Sequence, residues 1–346
     1  MILWIGCWRP GVFFGGTFDE MAWPLKVYAT LCAVGLASLV LNSLWRRVRP
    51  APVSIVRHER RIIDLGEEWR QRIGDLPIGS GRHQSLARLS FNQAFQIDIS
   101  TRTVHIPHLS EVWDGFTIVQ WTDLHLTGTV DRTWFQRVAE LTAECDPDLL
   151  VCTGDLIDEM SLVSWLPDIL GPMHAPVGRL FILGNHDWHQ QPERIRDVMV
   201  NEAGWTDVAS RTVACKADGR QVLVAGNETP WLGDEPEMPE TPAPGTDSLR
   251  LALSHTPDNF PWAIRQDADL MFAGHNHGGQ VCLPLIGPVY SPSRHGVRFA
   301  SGAFARDGTT MLVSRGLSGR HPLRVLCRPE LVRVILKTGA SHETMA

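Results

Sequence analysis

Short apolar segments recur along the chain from residue 116 onward, and each is followed at once by glycine or polar residues. The segments are FTIVQW (116–121), LLVCT (149–153), RLFIL (179–183), QVLVA (221–225), LRLAL (249–253), DLMFA (269–273), MLVSRGL (311–317) and LVRVIL (331–336). Their length and their content of β-branched residues are typical of buried strands. The chain is therefore predicted to build at least one sheet with an apolar interior.

The segment between the first two strands has the periodicity of a helix. In DRTWFQRVAELTAEC (131–145), the residues Trp134, Phe135, Val138 and Leu141 recur at helical spacing, and Asp131 can cap the start. The order strand, helix, strand indicates a layered α/β domain.

The bulk composition excludes some classes of protein. The 346 residues are 44% hydrophobic and 20% charged, as in ordinary globular proteins, and the net charge is -6. Nucleic-acid binders usually carry a basic surface, so we expect no nucleic-acid partner. The seven cysteines are scattered and form no C-x-x-C pair, which favours a reducing compartment.

An apolar stretch lies near the amino terminus. Residues 25–45 read LKVYATLCAVGLASLVLNSLW, and Arg46, Arg47 and Arg49 follow. About 20 apolar residues suffice for a helix to cross a bilayer, so this stretch predicts a single-pass membrane helix with the rest of the chain cytoplasmic. A cleaved signal peptide and a buried amphipathic helix are the alternatives. Residues 1–24 are predicted to be an extension.

Residues 46–110 are predicted to form a basic linker that leads into the domain. Arg57, Arg60 and Arg61 continue its basic character, which can be attracted to anionic lipid; a solvated helix face is the alternative. The domain itself is predicted to span residues 111–338, and residues 339–346 form a tail.

Polar side chains follow five of the predicted strands. They are Asp123 and His125; Asp155 and Asp158; Asn185, His186 and Asp187; His255; and His275 and His277. Open α/β sheets place ligand sites at the carboxyl ends of their strands, so we expect these side chains to converge. Residues two apart on an extended segment point the same way, which lets Asp123 and His125 aim at one location.

Seven of these residues have the chemistry of metal ligands. Two aspartates, one asparagine and four histidines exceed the needs of one ion and suit two ions that share a carboxylate. Mixed oxygen and nitrogen ligands fit Mn, Fe or Zn better than Ca. Two ions about 3.5–4 Å apart are a known arrangement for displacement at phosphorus.

The ordered motifs D-x-H, G-D-x-x-D, G-N-H-D, a strand-terminal His and G-H-x-H resemble the calcineurin-like metallophosphoesterases over residues 110–338. The resemblance implies a four-layer α/β/β/α sandwich that hydrolyses a phosphodiester or pyrophosphate bond by attack of a metal-bridging hydroxide. The stretches SHTPD and AGHNHGGQVCLPLIGPVYSPSR resemble a membrane-associated phosphodiesterase branch, similar to enzymes that split UDP-2,3-diacylglucosamine.

The resemblance also implies a role for each residue. Asp123, His125, Asp155 and His277 would hold the first metal; Asp155 would bridge; and Asn185, His255 and His275 would complete the second. His186 would stabilise charge on the phosphate or protonate the leaving oxygen. Asp158 and Asp187 would orient neighbouring groups.

Three functions are compatible with these observations. The first is a membrane-anchored hydrolase of a lipid-linked substrate, with UDP-2,3-diacylglucosamine as the specific hypothesis. The second is the same chemistry on a soluble substrate such as a glycerophosphodiester or a cyclic nucleotide. The third is a non-catalytic scaffold, which is disfavoured because no ligand of the motifs is missing.

Overall fold

The structure is a computed structural model that describes residues 22–48, 51–217, 220–240 and 247–338. Most of the predicted extension 1–24 and all of the predicted tail 339–346 lie outside these ranges. The helices of the described ranges are α1 (Trp23–Val48), α2 (Leu65–Ile73), α3 (Gln84–Ala87), α4 (Arg132–Ala143), α5 (Trp165–Leu170), α6 (Asn185–Trp188), α7 (Pro192–Asp197) and α8 (Phe260–Arg265).

The strands are numbered in chain order. They are β1 (Ile55–Asp64), β2 (Gln96–His105), β3 (Thr117–Trp121), β4 (Leu149–Thr153), β5 (Gly178–Ile182), β6 (Thr206–Asp207), β7 (Thr212–Ala217), β8 (Arg220–Asn227), β9 (Ser248–Ser254), β10 (Leu270–Ala273), β11 (Cys282–Leu283), β12 (Gly287–Pro288), β13 (Gly302–Arg306), β14 (Thr309–Val313) and β15 (Glu330–Lys337). Each of the eight predicted strand segments overlaps one of these strands.

Helix α1 belongs to a separate compact unit together with Pro284–Gly287. The helix predicted over residues 25–45 forms, but the prediction that it spans a membrane is not supported. Within the described ranges, no helix combines the length and the apolar character that a bilayer crossing requires. Lys26, Thr30 and Ser38 are among the residues that dilute its apolar content.

The first sheet of the larger unit has seven strands in the order β1-β2-β15-β3-β4-β5-β6. Strands β3, β4, β5 and β6 are parallel to one another, whereas β15 pairs antiparallel with β3 and parallel with β2. The second sheet has six strands in the order β13-β14-β10-β9-β8-β7, of which β14, β10, β9 and β8 are parallel. The predicted mixed α/β architecture is confirmed.

Three apolar clusters define the layers. The middle cluster joins the facing surfaces of the two sheets, with Ile118 and Val151 from the first and Leu251 and Phe272 from the second. A second cluster covers the outer face of the first sheet with helices that include α4 and α5. A third covers the outer face of the second sheet with α8. The order from one face to the other is helix, sheet, sheet, helix, because each sheet buries both of its faces.

The helix predicted between the first two strands is confirmed as α4. Its four predicted apolar residues are all buried, and the carboxylate of Asp131 accepts a hydrogen bond from the amide of Thr133 at 2.9 Å. This cap satisfies one of the amides that a helix leaves without a partner at its start.

The stretch predicted as a basic linker, residues 46–110, is part of the folded unit in the structure. It contributes β1 and β2 to the first sheet. Strand β1 is an exposed edge, and its arginines form ion pairs: Arg57 with Glu59, Arg60 with Asp98, and Arg61 with Glu144. Its basic residues therefore have acidic partners within the chain.

Removal of an aromatic ring from the middle layer should test how much that layer stabilises the fold. Phe272→Ala leaves a cavity among fully buried neighbours, and we expect it to lower the free energy of unfolding by about 3–5 kcal/mol. Urea denaturation of the metal-free protein measures this. The exposed Val112→Ala is the control, and an equal loss in both variants would contradict the assignment of the layer.

Candidate metal centre

Five strands from the two sheets end at one edge of the sandwich. Strands β3, β4 and β5 lead to the first three polar motifs, and β9 and β10 lead to the two histidine motifs. The buried side chain of Gln120 ties these ends together, since its amide nitrogen donates to the carbonyl of Ala273 at 3.0 Å and to the hydroxyl of Thr153 at 2.9 Å. The convergence predicted from the sequence is therefore present.

The backbone reaches this edge through left-handed conformations. Asp123, His125, Asp155, His275 and His277 have φ values of 56°, 44°, 56°, 69° and 49°. Each such conformation costs of order 1–3 kcal/mol in a residue other than glycine, so the surrounding packing must hold it. The predicted convergence of residues two apart thus has a different cause, because these pairs do not lie on extended strands.

The first cluster contains Asp123, His125 and His277, whose ligand atoms lie within 4.8 Å of one another. Nε2 of His125 lies 3.1 Å from Nε2 of His277, and Oδ1 of Asp123 lies 3.5 Å from the latter atom. One potential ligand atom of each residue thus lies close to those of the other two, which is the arrangement that a cation requires.

The second cluster contains Asp155, His255 and His275, again within 4.8 Å. Nε2 of His255 lies 3.1 Å from Oδ2 of Asp155, 3.1 Å from Oδ1 of Asn185 and 3.2 Å from Nδ1 of His275. Nδ1 of His255 donates to the carbonyl of Thr153 at 2.7 Å, which leaves Nε2 free to act as a ligand.

Asp155 belongs to a third cluster as well, with His125 and His186. Its Oδ2 lies 3.5 Å from Nε2 of His125, so the carboxylate is close to members of both other clusters. Asp158 connects the two histidines, since its oxygens lie 2.9 Å from Nδ1 of His125 and 2.5 Å from Nδ1 of His186.

Asp187 orients the loops rather than facing the ligands. Its carboxylate accepts hydrogen bonds from the amides of Leu156, Ile157 and Gly184 at 2.9, 3.0 and 2.9 Å. The loop after β5 packs tightly on the loop after β4, because a Cβ on Gly184 would lie 2.2 Å from Oδ1 of Asp155.

Burial and charge act in opposite directions on these groups. Burial disfavours the imidazolium form of His255, yet the adjacent Asp155 raises its pKa to about 9. Burial and the nearby His255 lower the pKa of His275 to about 3, and burial also keeps the pKa of His277 well below its usual value. His275 and His277 are therefore neutral at pH 7, the form in which imidazole binds a metal, whereas a cation at the site would have to displace the proton that Asp155 favours on His255.

Arg324 is a residue that the sequence reasoning missed. It is fully buried, donates to the carbonyls of His277 at 3.0 Å and Arg315 at 2.7 Å, and contacts Nδ1 of His277 at 3.2 Å. It also donates to the carbonyl of Ser318. No local motif surrounds this arginine, so only the fold reveals that it supports the last histidine motif.

The clusters open into a cleft of about 310 Å³, called here the metal cleft. It is lined by His125, Asp155, Asn185, His186, His275, Asn276, His277, Gly279, Gln280, Tyr290, Pro292, Arg320 and His321. Trp231 closes the site beside the second cluster, with its ring centroid 5.0 Å from that of His275. His189, which follows the third motif, lines an adjoining cavity instead.

The donor set fits a divalent transition metal. Carboxylate, amide and imidazole groups converge within a few ångströms, and imidazole nitrogens face each other at hydrogen-bonding distance. Such mixed ligands suit Mn, Fe or Zn. The polar interior of the site thus has the chemistry of a metal centre.

Comparison with known proteins agrees with this geometry. Residues 116–279 match the family described as calcineurin-like phosphoesterase. The chain is 31% identical over 249 residues to the uncharacterized metallophosphoesterase YkuE of Bacillus subtilis. The aligned residues cover 70% of this chain and 86% of the relative. The chain belongs to the calcineurin-like metallophosphoesterase family.

Two further relatives have more specific names. Phosphodiesterase YaeI of Escherichia coli is 29% identical over 64% of this chain and 82% of its own length. The UDP-2,3-diacylglucosamine pyrophosphatase LpxG of Chlamydia trachomatis is 25% identical over 63% of this chain and 82% of its own length. The chain is a metal-dependent phosphoric ester or anhydride hydrolase, as the sequence predicted.

Replacement of the shared carboxylate should reduce metal binding at more than one cluster. Asp155→Asn keeps the shape of the side chain but removes its charge, and we expect metal affinity to fall by more than the roughly 10- to 100-fold typical of an indirect partner. Metal content after dialysis, measured by plasma mass spectrometry, gives the result. The exposed Asp168→Asn is the control, and unchanged content in Asp155→Asn would refute the role of this carboxylate.

Proposed function

We propose that the chain is a dinuclear metallohydrolase with Mn, Fe or Zn at two positions that share Asp155. Asp123, His125 and His277 hold one ion, and Asn185, His255 and His275 hold the other. The observation that carries this proposal is the position of Asp155, which shares a cluster with His255 and His275 and another with His125, a member of the first cluster. Its Oδ2 lies 3.5 Å from Nε2 of His125. Two ions held there would supply an activated water and neutralise charge on the phosphoryl group.

In this proposal His186 acts on the substrate as a proton donor rather than as a metal ligand. Its Nδ1 contacts the carboxylate of Asp158, whose pKa is held below its usual range, against the effect of burial, by the hydrogen bonds from His125 and His186. The carboxylate of Asp158 accepts a hydrogen bond from Nδ1–H and so orients the ring. When Nε2 also carries a proton, it is the atom that donates this proton to the leaving oxygen. The side chain of His186 is 25% exposed, so substrate can reach it.

A His186→Asn variant separates this role from that of a metal ligand, because His186 also belongs to a cluster with His125 and Asp155. We expect kcat to fall by about 10²- to 10⁴-fold, with full metal content, since a positioned acid contributes about that much. Steady-state kinetics and metal analysis of the same sample give both values. Loss of metal would assign His186 to the metal shell instead.

We propose a lipid-linked pyrophosphate as the substrate, with UDP-2,3-diacylglucosamine as the specific candidate. Support comes from the relative that is named as a pyrophosphatase of this compound. The proposal includes association of the chain with a membrane surface and a cytoplasmic catalytic unit, because the acyl chains of such a substrate partition into a bilayer. A fold and a metal site alone do not set the substrate.

A soluble phosphodiester is the second candidate. The relative named as a phosphodiesterase favours it, since that name specifies no lipid. Glycerophosphodiesters and cyclic nucleotides are the substrates of this alternative.

The manganese-loaded protein should hydrolyse UDP-2,3-diacylglucosamine presented in vesicles that contain anionic lipid. We expect ³¹P NMR to show UMP and the lipid monophosphate, and faster turnover than with substrate in neutral detergent micelles if the protein works at a membrane. Asp155→Asn is the inactive control. Hydrolysis of bis(4-nitrophenyl) phosphate without any turnover of the lipid would exclude the lipid-linked substrate and leave the soluble alternative.

A further inference from the structure

A second cavity, called here the side cavity, adjoins the metal cleft. It has a volume of about 490 Å³ and is lined by Arg82, His83, Thr127, Asp158, Glu159, Asn185, His186, His189, Gln190, Arg320 and His321. Four of these residues, Asn185, His186, Arg320 and His321, also line the metal cleft. The two cavities are therefore adjacent and share part of their lining.

One arm of the side cavity carries Arg82 and His83 and is fixed against the loop after β3. The amide of Gly81 donates to the carbonyl of Gly128 at 2.9 Å, and the hydroxyl of Thr129 donates to the carbonyl of Arg82. The two segments touch so closely that a Cβ on Gly81 would lie 2.3 Å from the amide nitrogen of Thr129. The position of this arm is thus fixed by backbone contacts rather than by the side chain of Arg82.

The other arm carries Arg320 and His321 and is fixed from the metal centre. Arg324 donates to the carbonyl of Ser318 and to that of His277, and the side-chain amide of Gln280 donates to the carbonyl of His321 at 2.6 Å. The rings of His83 and His321 meet edge to face with centroids 4.7 Å apart, so the two arms contact each other. Contacts within the chain therefore fix both sides of the cavity.

The guanidinium groups of Arg82 and Arg320 are available to bind an anion. Both are exposed, and neither forms an ion pair with any residue that the structure describes. Most other arginines of the sandwich bind carboxylates, as Arg315 binds Asp98 and Glu330. Arginine binds phosphoryl oxygens through two parallel hydrogen bonds, which makes it suited to a phosphoryl ligand.

Two carboxylates, Asp158 and Glu159, also line the side cavity. The charge of Asp158 is offset by its contacts with His125 and His186, whereas Glu159 is exposed. Burial and the adjacent positive charge of Arg320 lower the pKa of His321 below its ordinary value. The Arg320 side of the side cavity is therefore electropositive.

We propose that Arg82 and Arg320 bind a second phosphoryl group of the substrate, next to the one that reacts. The substrate class is then a diester of pyrophosphate, in which the two phosphoryl groups share one oxygen and must lie side by side. This inference rests on the proposed function, because it takes the metal cleft as the place of hydrolysis. It adds the residues that distinguish a pyrophosphate from a simple phosphodiester.

Two soluble probes test the subsite without lipid. UDP-N-acetylglucosamine contains two phosphoryl groups, and the 4-nitrophenyl ester of uridine 5′-monophosphate contains one beside the same nucleoside. For Arg82→Gln and Arg320→Gln we expect kcat/KM for the pyrophosphate to fall by about 10- to 100-fold each, because each removes a charge-assisted hydrogen bond. The loss for the single-phosphoryl ester should be at least tenfold smaller.

Further variants exclude a purely structural effect. Arg320→Lys should recover part of the loss, and Glu159→Gln should tighten binding of the pyrophosphate because it removes a negative charge from the same wall. Arg306 is an exposed arginine that pairs with Asp307 and lies outside both cavities. Arg306→Gln should leave kcat/KM unchanged for both probes. Equal losses on both probes, or no loss on the pyrophosphate, would overturn the subsite.

Calorimetry separates the subsite from the proposed function. Binding of UDP-N-acetylglucosamine to the metal-loaded wild type should be at least tenfold tighter than to Arg82→Gln, whether or not the pyrophosphate is cleaved. Equal dissociation constants would refute the subsite. A metal-loaded wild type that binds the probe with this difference but hydrolyses neither compound would keep the subsite and refute the proposed function.

Discussion

The apolar layer between the two sheets determines where the site can form. It holds parallel strands of both sheets in contact, so that their carboxyl ends open on a single edge. Two hydrogen bonds across the layer fix this edge: Gln120 donates to the carbonyl of Ala273, and His255 donates to that of Thr153. Because the ligand residues follow these strands directly, a shift of one sheet against the other would separate the clusters.

The same edge concentrates charge and strain, which the neighbouring groups offset. Burial opposes ionisation of Asp155, but His255 and His125 lie beside it and hold its pKa well below the usual value. Burial and the nearby Asp155 raise the pKa of Asp187 to about 7, although the hydrogen bonds that its carboxylate accepts from backbone amides act to lower it. The left-handed residues are held by backbone contacts: the amides of Asp123 and His125 donate to the carbonyls of Gly154 and Asp155, and Arg324 donates to the carbonyl of His277. Such a site is built to receive cations, since they remove the repulsion that its own carboxylates create.

Local sequence signals predicted the interior of this fold. The strands β3, β4 and β9 are mostly apolar and buried along their whole length, and α4 has a helical period with a cap, so each could be recognised by itself. Strands β1 and β2 could not, because β1 is a charged edge and β2 buries Asp98, Ser100 and Arg102 on alternate positions. Asp98 pairs with Arg60 and Arg315, and Arg102 pairs with Glu330. Ser100 contacts His58, and no local pattern records any of these pairings.

Part of the candidate site could be predicted from local sequence motifs, and part of it could not. Every predicted metal ligand lies within the segment that matches the family, between residues 116 and 279. Arg82 precedes this segment, and Arg320 and Arg324 follow it, yet the fold brings them to its edge. A short motif can encode the metal chemistry because strand ends deliver the ligands directly, whereas the side cavity depends on arms that are remote in sequence. The proposed pyrophosphate subsite therefore depends on residues outside the matched segment, which agrees with the general rule that a fold and a metal site alone do not set the substrate.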